Sequence, residues 1–140
     1  MNVQMTGLER PGEKTRTKIR PTLVVVDDDD DIREALSTLL QVEGHTVRGA
    51  ADGVEGLCVI SELEQTPCIV LLDMMMPEMS GAEVMLVLRE ANKLPELPVV
   101  VISATTPTAS DVAGARLCLH KPLDVETTLT VVRRLCAAFE

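Results

Sequence analysis

Acidic, hydroxyl and amine side chains stand where short apolar runs end in this 140-residue chain. Asp27 and Asp28 open a run of five aspartates, and Asp73, Ser103 and Lys121 each follow a later apolar run. Clustered carboxylates repel one another unless a cation compensates, and hard oxygen ligands suit Mg²⁺ or Mn²⁺. A lysine and a hydroxyl can hold phosphoryl oxygens, and a carboxylate can attack phosphorus. The set therefore predicts a site that accepts a phosphoryl group as an aspartyl phosphate.

The apolar runs that carry these residues alternate with segments of helical periodicity. The predicted strands are residues 22–26, 45–49, 69–72, 99–102 and 117–119, and helices are expected at 32–44, 53–64, 81–91, within 107–114, and at 123–139. Five strands alternating with five helices predict a parallel sheet that is covered on both faces. The fourth helix is shortened, because its segment has room for about two turns. Asp31 is expected to cap the first helix and Gly44 to end it.

The alternation of strands and helices turns the polar residues into a site prediction. In open α/β sheets, ligands bind outside the carboxyl ends of the strands. Taken singly, the aspartate run could be a solvated loop, Asp73 a strand terminator, and Ser103 and Lys121 ordinary turn residues. Their joint placement at the ends of separate strands favours one shared site at a single edge.

Composition and charge exclude several classes of protein. Hydrophobic residues make up 46% of the chain, and no apolar run is long enough to span a bilayer. Residues 1–20 carry a net charge of +3, and the remainder carries −12. We expect a basic, disordered arm at 1–20 and one domain at 21–140. The acidic domain argues against a nucleic-acid partner, and a cytoplasmic location follows as the default.

The sulfur-containing residues show no metal-binding pattern. The four cysteines form no CxxC pair, so we expect structural thiols rather than a metal or redox site; they are Cys58, Cys68, Cys118 and Cys136. Met74, Met75, Met76 and Met79 invite a copper-site hypothesis, but flexible apolar packing around the loop after Asp73 is favoured.

Four segments in order resemble the receiver domain of bacterial response regulators. They are Val24–Asp28, Leu71–Pro77, Val99–Ala104 and Lys121-Pro122, with supporting matches at Ile32–Leu36, Ala51–Gly53, Ser80-Gly81 and Gly114-Ala115. The resemblance covers about residues 21–140. It implies a flavodoxin-like, doubly wound sheet of order 2-1-3-4-5. It also implies that the protein is a switch in two-component signal transduction rather than an enzyme. The switch would catalyse its own phosphorylation and dephosphorylation.

The resemblance assigns roles by position. Asp73 would be the phosphoacceptor. Asp28, Asp73 and the backbone carbonyl of Met75 would ligate Mg²⁺, with Asp27 acting mainly through water. Lys121 and Ser103 would bind the phosphoryl group, with Ala104 beside them, and Met75 and Thr105 would tune the reaction rate. Arg33 stands at the family's usual offset after the second aspartate, and it therefore identifies Asp27 and Asp28 as the acidic pair. Asp29 to Asp31 would then be loop and cap residues. The donor would be a sensor histidine kinase or a phosphotransfer protein, and the output an unknown downstream protein.

Two departures from the family concern output. Cys118 occupies the position at which most receivers carry an aromatic residue that changes rotamer on phosphorylation. The shortened fourth helix alters the face that the family uses for partners. A stand-alone receiver, with nothing after the final helix, is the leading hypothesis, although the chain could belong to a larger regulator.

Two alternative functions remain open from the sequence. A degenerate receiver could serve as an interaction module without phosphorylation. An aspartate-nucleophile phosphohydrolase resembling the haloacid dehalogenase group would use Asp27-x-Asp29, Ser103 and Lys121, but it leaves Asp73 unexplained.

Overall fold

The computed structural model describes residues 20–139 as a five-stranded parallel sheet with helices on both faces. In chain order the elements are β1 Thr22–Val26, α1 Asp30–Val42, β2 Val47–Ala50, α2 Gly53–Glu62, β3 Cys68–Asp73, α3 Gly81–Glu90, β4 Val99–Ser103, β5 Leu117–His120 and α4 Val125–Ala137. The spatial order is β2-β1-β3-β4-β5, and every neighbouring pair is parallel. The predicted fold class and strand order are confirmed. The predicted arm, residues 1–20, lies outside the described residues except for Arg20.

The two faces of the sheet form separate apolar cores, because successive side chains of a strand point to opposite sides. Alternate strand residues such as Val24, Val70 and Val101 pack with α2 and α3. Their neighbours, such as Val25 and Ile69, pack with α1 and α4. The central strands are buried on both faces, which explains their continuous apolar runs. Among the described residues, no helix is both long and apolar enough to cross a membrane.

Helix α1 begins at Asp30, two residues earlier than its apolar periodicity indicates. Asp29 is the N-cap, and its Oδ1 accepts from the backbone N–H groups of Asp31 at 2.9 Å and Ile32 at 3.1 Å. The predicted cap at Asp31 is therefore wrong, because Asp31 already lies inside the first turn and supplies one of the donors that need an acceptor. The predicted end of the helix is confirmed, since Gly44 has a positive φ of 98° and its N–H donates to the carbonyl of Gln41.

The segment between β4 and β5 forms turns instead of the predicted shortened helix. Within the described part of the chain there are four helices, so the prediction of five is wrong. Thr108 favours a turn, because its hydroxyl accepts from the N–H of Asp111 at 3.2 Å and competes with helical bonding. Arg89 of α3 donates to the carbonyl of Ala113 at 2.9 Å and ties the segment down. Val112 and Ala115 pack against the core in place of a helix.

His45, between α1 and β2, makes the stability of this fold sensitive to acid. Its Nδ1 is buried without a hydrogen-bond partner. Burial, and then the charge of Arg20, lower the pKa of His45 below its ordinary value of 6.5, whereas the charge of Glu43 raises it. The unfolded chain takes up this proton more readily, so stability falls as the pH drops below about 6.5.

Urea unfolding from pH 7.5 to 5.5 should show a shallower loss of stability for His45→Gln than for wild type. The same substitution at exposed His120 is the control, and equal slopes for both variants would contradict the assignment.

Candidate phosphoryl-acceptor site

Three carboxylates meet at the carboxyl-terminal edge of the sheet, as the sequence predicts. Asp27, Asp28 and Asp73 each offer an oxygen, and these atoms lie within 4.8 Å of one another. Asp27 and Asp73 are buried, with 4% and 2% of their surface exposed, whereas Asp28 is exposed. The cluster is therefore shielded from solvent at Asp27 and Asp73 and accessible to solvent at Asp28.

The register of the sheet brings these residues together. Val26 of β1 lies opposite Leu72 of β3, so the residues that follow them, Asp27 and Asp73, lie side by side at the ends of neighbouring strands. Asp73 itself lies opposite Ile102, which places the end of β4 beside the acidic cluster. Residues that are 46 positions apart in the chain therefore become neighbours at one edge.

Lys121 supplies the cation of this edge. Its Nζ lies 3.2 Å from Oδ1 of Asp73 and 3.8 Å from Oδ2 of Asp27. Its backbone N–H donates to the carbonyl of Ser103 at 2.9 Å, and a cis peptide bond joins it to Pro122. The side chain is 24% exposed, so the amine sits between the carboxylates and solvent.

The electrostatics at Asp27 favour a bound cation. Burial raises the pKa of this carboxyl above its usual value, and the charges of Asp73 and Asp28 raise it further. The N–H of Asp29, which donates to Oδ1 of Asp27 at 2.9 Å, and the charge of Lys121 act in the opposite direction. A single lysine is thus set against three carboxylates, and a divalent cation on their oxygens would relieve the remaining repulsion.

The loop after β3 contacts the carboxylate of Asp73 through its backbone. The N–H of Met75 donates to Oδ1 of Asp73 at 3.2 Å, while the Met75 side chain is 64% exposed. Gly81 closes the loop, because its N–H donates to the carbonyl of Met74 at 3.1 Å. The backbone of Met75, whose carbonyl is a predicted ligand, therefore lies next to the carboxylate cluster.

The remaining predicted residues lie at the ends of β4 and β5. Ser103 is buried, and its Oγ accepts from the N–H of Thr105 at 3.2 Å and pairs with the Thr105 hydroxyl at 3.4 Å. Ala104 and Thr105 are exposed. Cys118 lies on β5 opposite Val101 and is exposed. The prediction that it alters switching stays a prediction.

One contact at this edge was missed by the sequence analysis. In the sequence, Arg33 only identified which aspartates match the family's acidic pair. In the structure, its Nη1 donates to the backbone carbonyl of Asp27 at 2.7 Å. Its Nη2 pairs with Oδ1 of Asp30 at 2.5 Å. The available signal was position, because a long side chain in the first turn of a helix points back toward the helix N-terminus.

Replacing Lys121 by methionine should tighten Mg²⁺ binding. The substitution keeps the length of the side chain and removes the cation that competes for oxygens of Asp27 and Asp73. The expected gain in affinity is roughly fivefold, equivalent to ~1 kcal/mol for a partly exposed ion pair. Isothermal titration calorimetry measures it. Lys93→Met, which breaks the ion pair with Glu64, is the control, and weaker binding by Lys121→Met would contradict the expectation.

Comparison with known sequences gives a consistent result. A family model described as the response regulator receiver domain matches residues 23–133. The transcriptional regulatory protein CpxR homolog of Haemophilus influenzae is 39% identical over 106 residues, which are 73% of this chain and 44% of that protein. The DNA-binding dual master transcriptional regulator RpaA of Synechocystis is 32% identical over 119 residues, covering 82% of this chain and 48% of that protein.

The chain spans about half the length of the curated relatives it matches. The name of the Synechocystis relative describes a DNA-binding protein. The expectation that the chain has no nucleic-acid partner therefore finds no support among these relatives.

Solved structures with the same fold are numerous. The receiver domain of the Francisella response regulator 1452 aligns with a TM-score of 0.74 and 26% identity, covering 86% of this chain and 100% of that one. The CheX–CheY–BeF3–Mg²⁺ complex from Borrelia burgdorferi aligns with a TM-score of 0.74 and 29% identity, covering 84% and 90%. A CheY-like receiver domain protein from Methanospirillum hungatei aligns with a TM-score of 0.75 at 23% identity, covering 85% and 96%, and this likeness concerns the fold alone.

Proposed function

Because this chain belongs to the response regulator receiver domain family, we propose that Asp73 accepts a phosphoryl group in a Mg²⁺-dependent reaction. The observation that carries the proposal is the contact at 3.2 Å between Lys121 and buried Asp73, beside the carboxylates of Asp27 and Asp28. Phosphoryl transfer needs positioning and charge neutralisation more than covalent chemistry, and this edge of the sheet offers both.

In the proposed reaction, a carboxylate oxygen of Asp73 forms a bond to phosphorus. The bond between phosphorus and a donor imidazole nitrogen breaks, and its electron pair stays on that nitrogen. Lys121 neutralises charge on the phosphoryl oxygens, and the Ser103 hydroxyl would donate to one of them after leaving Thr105. Burial of Asp73 limits the access of water, which slows hydrolysis of the acyl phosphate.

The residues at this edge fit a hard divalent cation. Asp28, Asp73 and the Met75 carbonyl would hold Mg²⁺ directly, and Asp27 would act through water; Mn²⁺ suits the same oxygen ligands. When bound, the ion neutralises developing negative charge on the transferring group. The exposure of Asp28 leaves room for water ligands on the solvent side.

We propose a switch rather than an enzyme with steady turnover. Phosphorylation and dephosphorylation would both be self-catalysed at Asp73, and Met75 and Thr105 are candidates for tuning their rates. A phosphohydrolase of the dehalogenase type would need Asp29 as its second catalytic carboxylate. Asp29 instead accepts two backbone N–H groups as the cap of α1, which supports the switch.

The proposed partners follow from the family. A sensor histidine kinase or a phosphotransfer protein would donate the phosphoryl group in the cytoplasm, and a downstream protein would read the phosphorylated state. The turns between β4 and β5 and the exposed Cys118 alter the usual output face, so the contact that carries the signal would differ from that of a receiver with five helices.

Intact-mass measurement after incubation with Mg²⁺ and acetyl phosphate tests the function. We expect the mass to increase by one phosphoryl group per chain. No increase is expected when EDTA replaces Mg²⁺ in the incubation. Steady release of phosphate from an ester substrate would favour the phosphohydrolase. The absence of any mass change, with Mg²⁺ present and the protein folded, would favour an interaction module that works without phosphorylation.

A further inference from the structure

We propose that Arg33 is a positioning residue for the acidic cluster, acting through the backbone carbonyl of Asp27. The inference rests on the proposed function, because it concerns the Mg²⁺ that phosphoryl transfer would use. Its effect would be to hold the loop between β1 and α1 so that the carboxylates of Asp27 and Asp28 face Asp73.

The contacts of Arg33 join three parts of the fold. Nη1 donates to the carbonyl of Asp27 at 2.7 Å, directly beyond the last residue of β1. Nη2 pairs with Oδ1 of Asp30 at 2.5 Å, in the first turn of α1. The methylene groups lie over β2, since a Cβ added to Gly49 would be 3.5 Å from Cδ of Arg33. One side chain therefore fixes both ends of the loop that carries the acidic pair.

Arg33 and Lys121 engage this site in different ways. Lys121 contacts oxygens of Asp27 and Asp73, the atoms that a divalent cation would bind. Arg33 contacts a backbone carbonyl and the carboxylate of Asp30, which lies outside the three-carboxylate cluster. Arg33 thus holds the loop without occupying a ligand oxygen of the cluster.

The guanidinium is suited to this arrangement. Its planar fork can donate to a carbonyl and a carboxylate at once from separate nitrogens, whereas the donors of a lysine amine all lie on one nitrogen. The side chain is only 21% exposed, which limits competition from water. Residues that hold metal ligands in position without binding the metal themselves commonly matter for affinity. Their removal typically weakens metal binding by about ten- to a hundredfold.

Charge and positioning predict opposite signs for the loss of Arg33. If the guanidinium acted only by its charge, Arg33→Met would make the site more negative and tighten Mg²⁺ binding. If it positions the loop, the same variant should bind Mg²⁺ about tenfold more weakly. Lys121→Met provides the matched comparison, because it removes a cation that occupies ligand oxygens and is expected to tighten binding.

Calorimetric titration of the full chain with Mg²⁺ decides between the two. The series is wild type, Arg33→Met, Lys121→Met and Arg48→Met, the last removing an arginine that pairs with Glu62 on an exposed surface. Amide hydrogen exchange of metal-free protein gives a second readout. Exchange at Asp29, Asp31 and Ile32 should accelerate in Arg33→Met and stay at the wild-type rate in Arg48→Met.

Unchanged or tighter Mg²⁺ binding by folded Arg33→Met would overturn the inference. If that variant does not fold by circular dichroism, Arg33→Lys decides, because it keeps the charge and loses the fork. Weaker Mg²⁺ binding than wild type supports positioning, and equal binding overturns it. Failure of wild type to bind Mg²⁺ or to take up a phosphoryl group would count against the proposed function instead.

Discussion

Asp73→Asn is expected to remain unphosphorylated after incubation with Mg²⁺ and acetyl phosphate, whereas the wild-type chain gains one phosphoryl group. The amide keeps the shape of the side chain but lacks the anionic oxygen that attacks phosphorus. The substitution also removes one of the three clustered carboxylates, so Mg²⁺ affinity should fall by about tenfold. Intact-mass measurement and calorimetric titration check the two effects separately.

Asp111→Asn is the matched control for this loss of function. Asp111 lies in the turns between β4 and β5, outside the three-carboxylate cluster, and the same change of charge there should leave labelling intact. One phosphoryl group per chain on Asp73→Asn would mean that another side chain is the acceptor. That result would remove the chemical role assigned to Asp73.

Gly81→Ala is expected to lower the free energy of unfolding by about 3 kcal/mol, at the upper end of the usual cost of overpacking. A Cβ at Gly81 would lie 2.5 Å from the carbonyl oxygen of Asp73 and 2.7 Å from Cα of Met74. Both are backbone atoms at the end of β3, so relief of the clash is expected to shift Asp73 relative to the start of α3. Phosphorylation of the folded fraction should therefore be slower as well.

Gly49→Ala separates this close approach from a general effect of adding a methyl group. The new Cβ would be 3.5 Å from Arg33, an ordinary van der Waals distance, and the change in stability should stay within about 0.5 kcal/mol. Urea unfolding of metal-free protein measures both variants. Equal stabilities for Gly81→Ala and wild type would show that the loop after β3 adapts without cost.

The acidic cluster could be predicted before any coordinates because its residues follow apolar runs. Asp27 directly follows β1 and Asp73 is the last residue of β3; both strands are buried on both faces, and parallel strands end at a common edge. The prediction therefore needed only the hydrophobic periodicity of the sequence and the alternation of strands and helices.

Local polar competition was harder to predict. The aspartate run offers several capping residues in a row, and the choice of Asp29 depends on where the first turn begins. Between β4 and β5, a helix of about two turns would be marginal in isolation. Tertiary contacts decide that segment, through Arg89 on Ala113 and the packing of Val112 and Ala115 against the core.

By itself, the order of residues along the chain determined the class of fold and the edge of the sheet at which the carboxylates gather, because hydrophobic periodicity and strand ends are local properties. Only the tertiary structure decided which atoms meet there. Lys121 reaches Asp73 past the end of β4, the strand between β3 and β5, and Arg33 turns back to the carbonyl of Asp27. Such distances depend on register and side-chain direction, which arise when the sheet and its helices pack together.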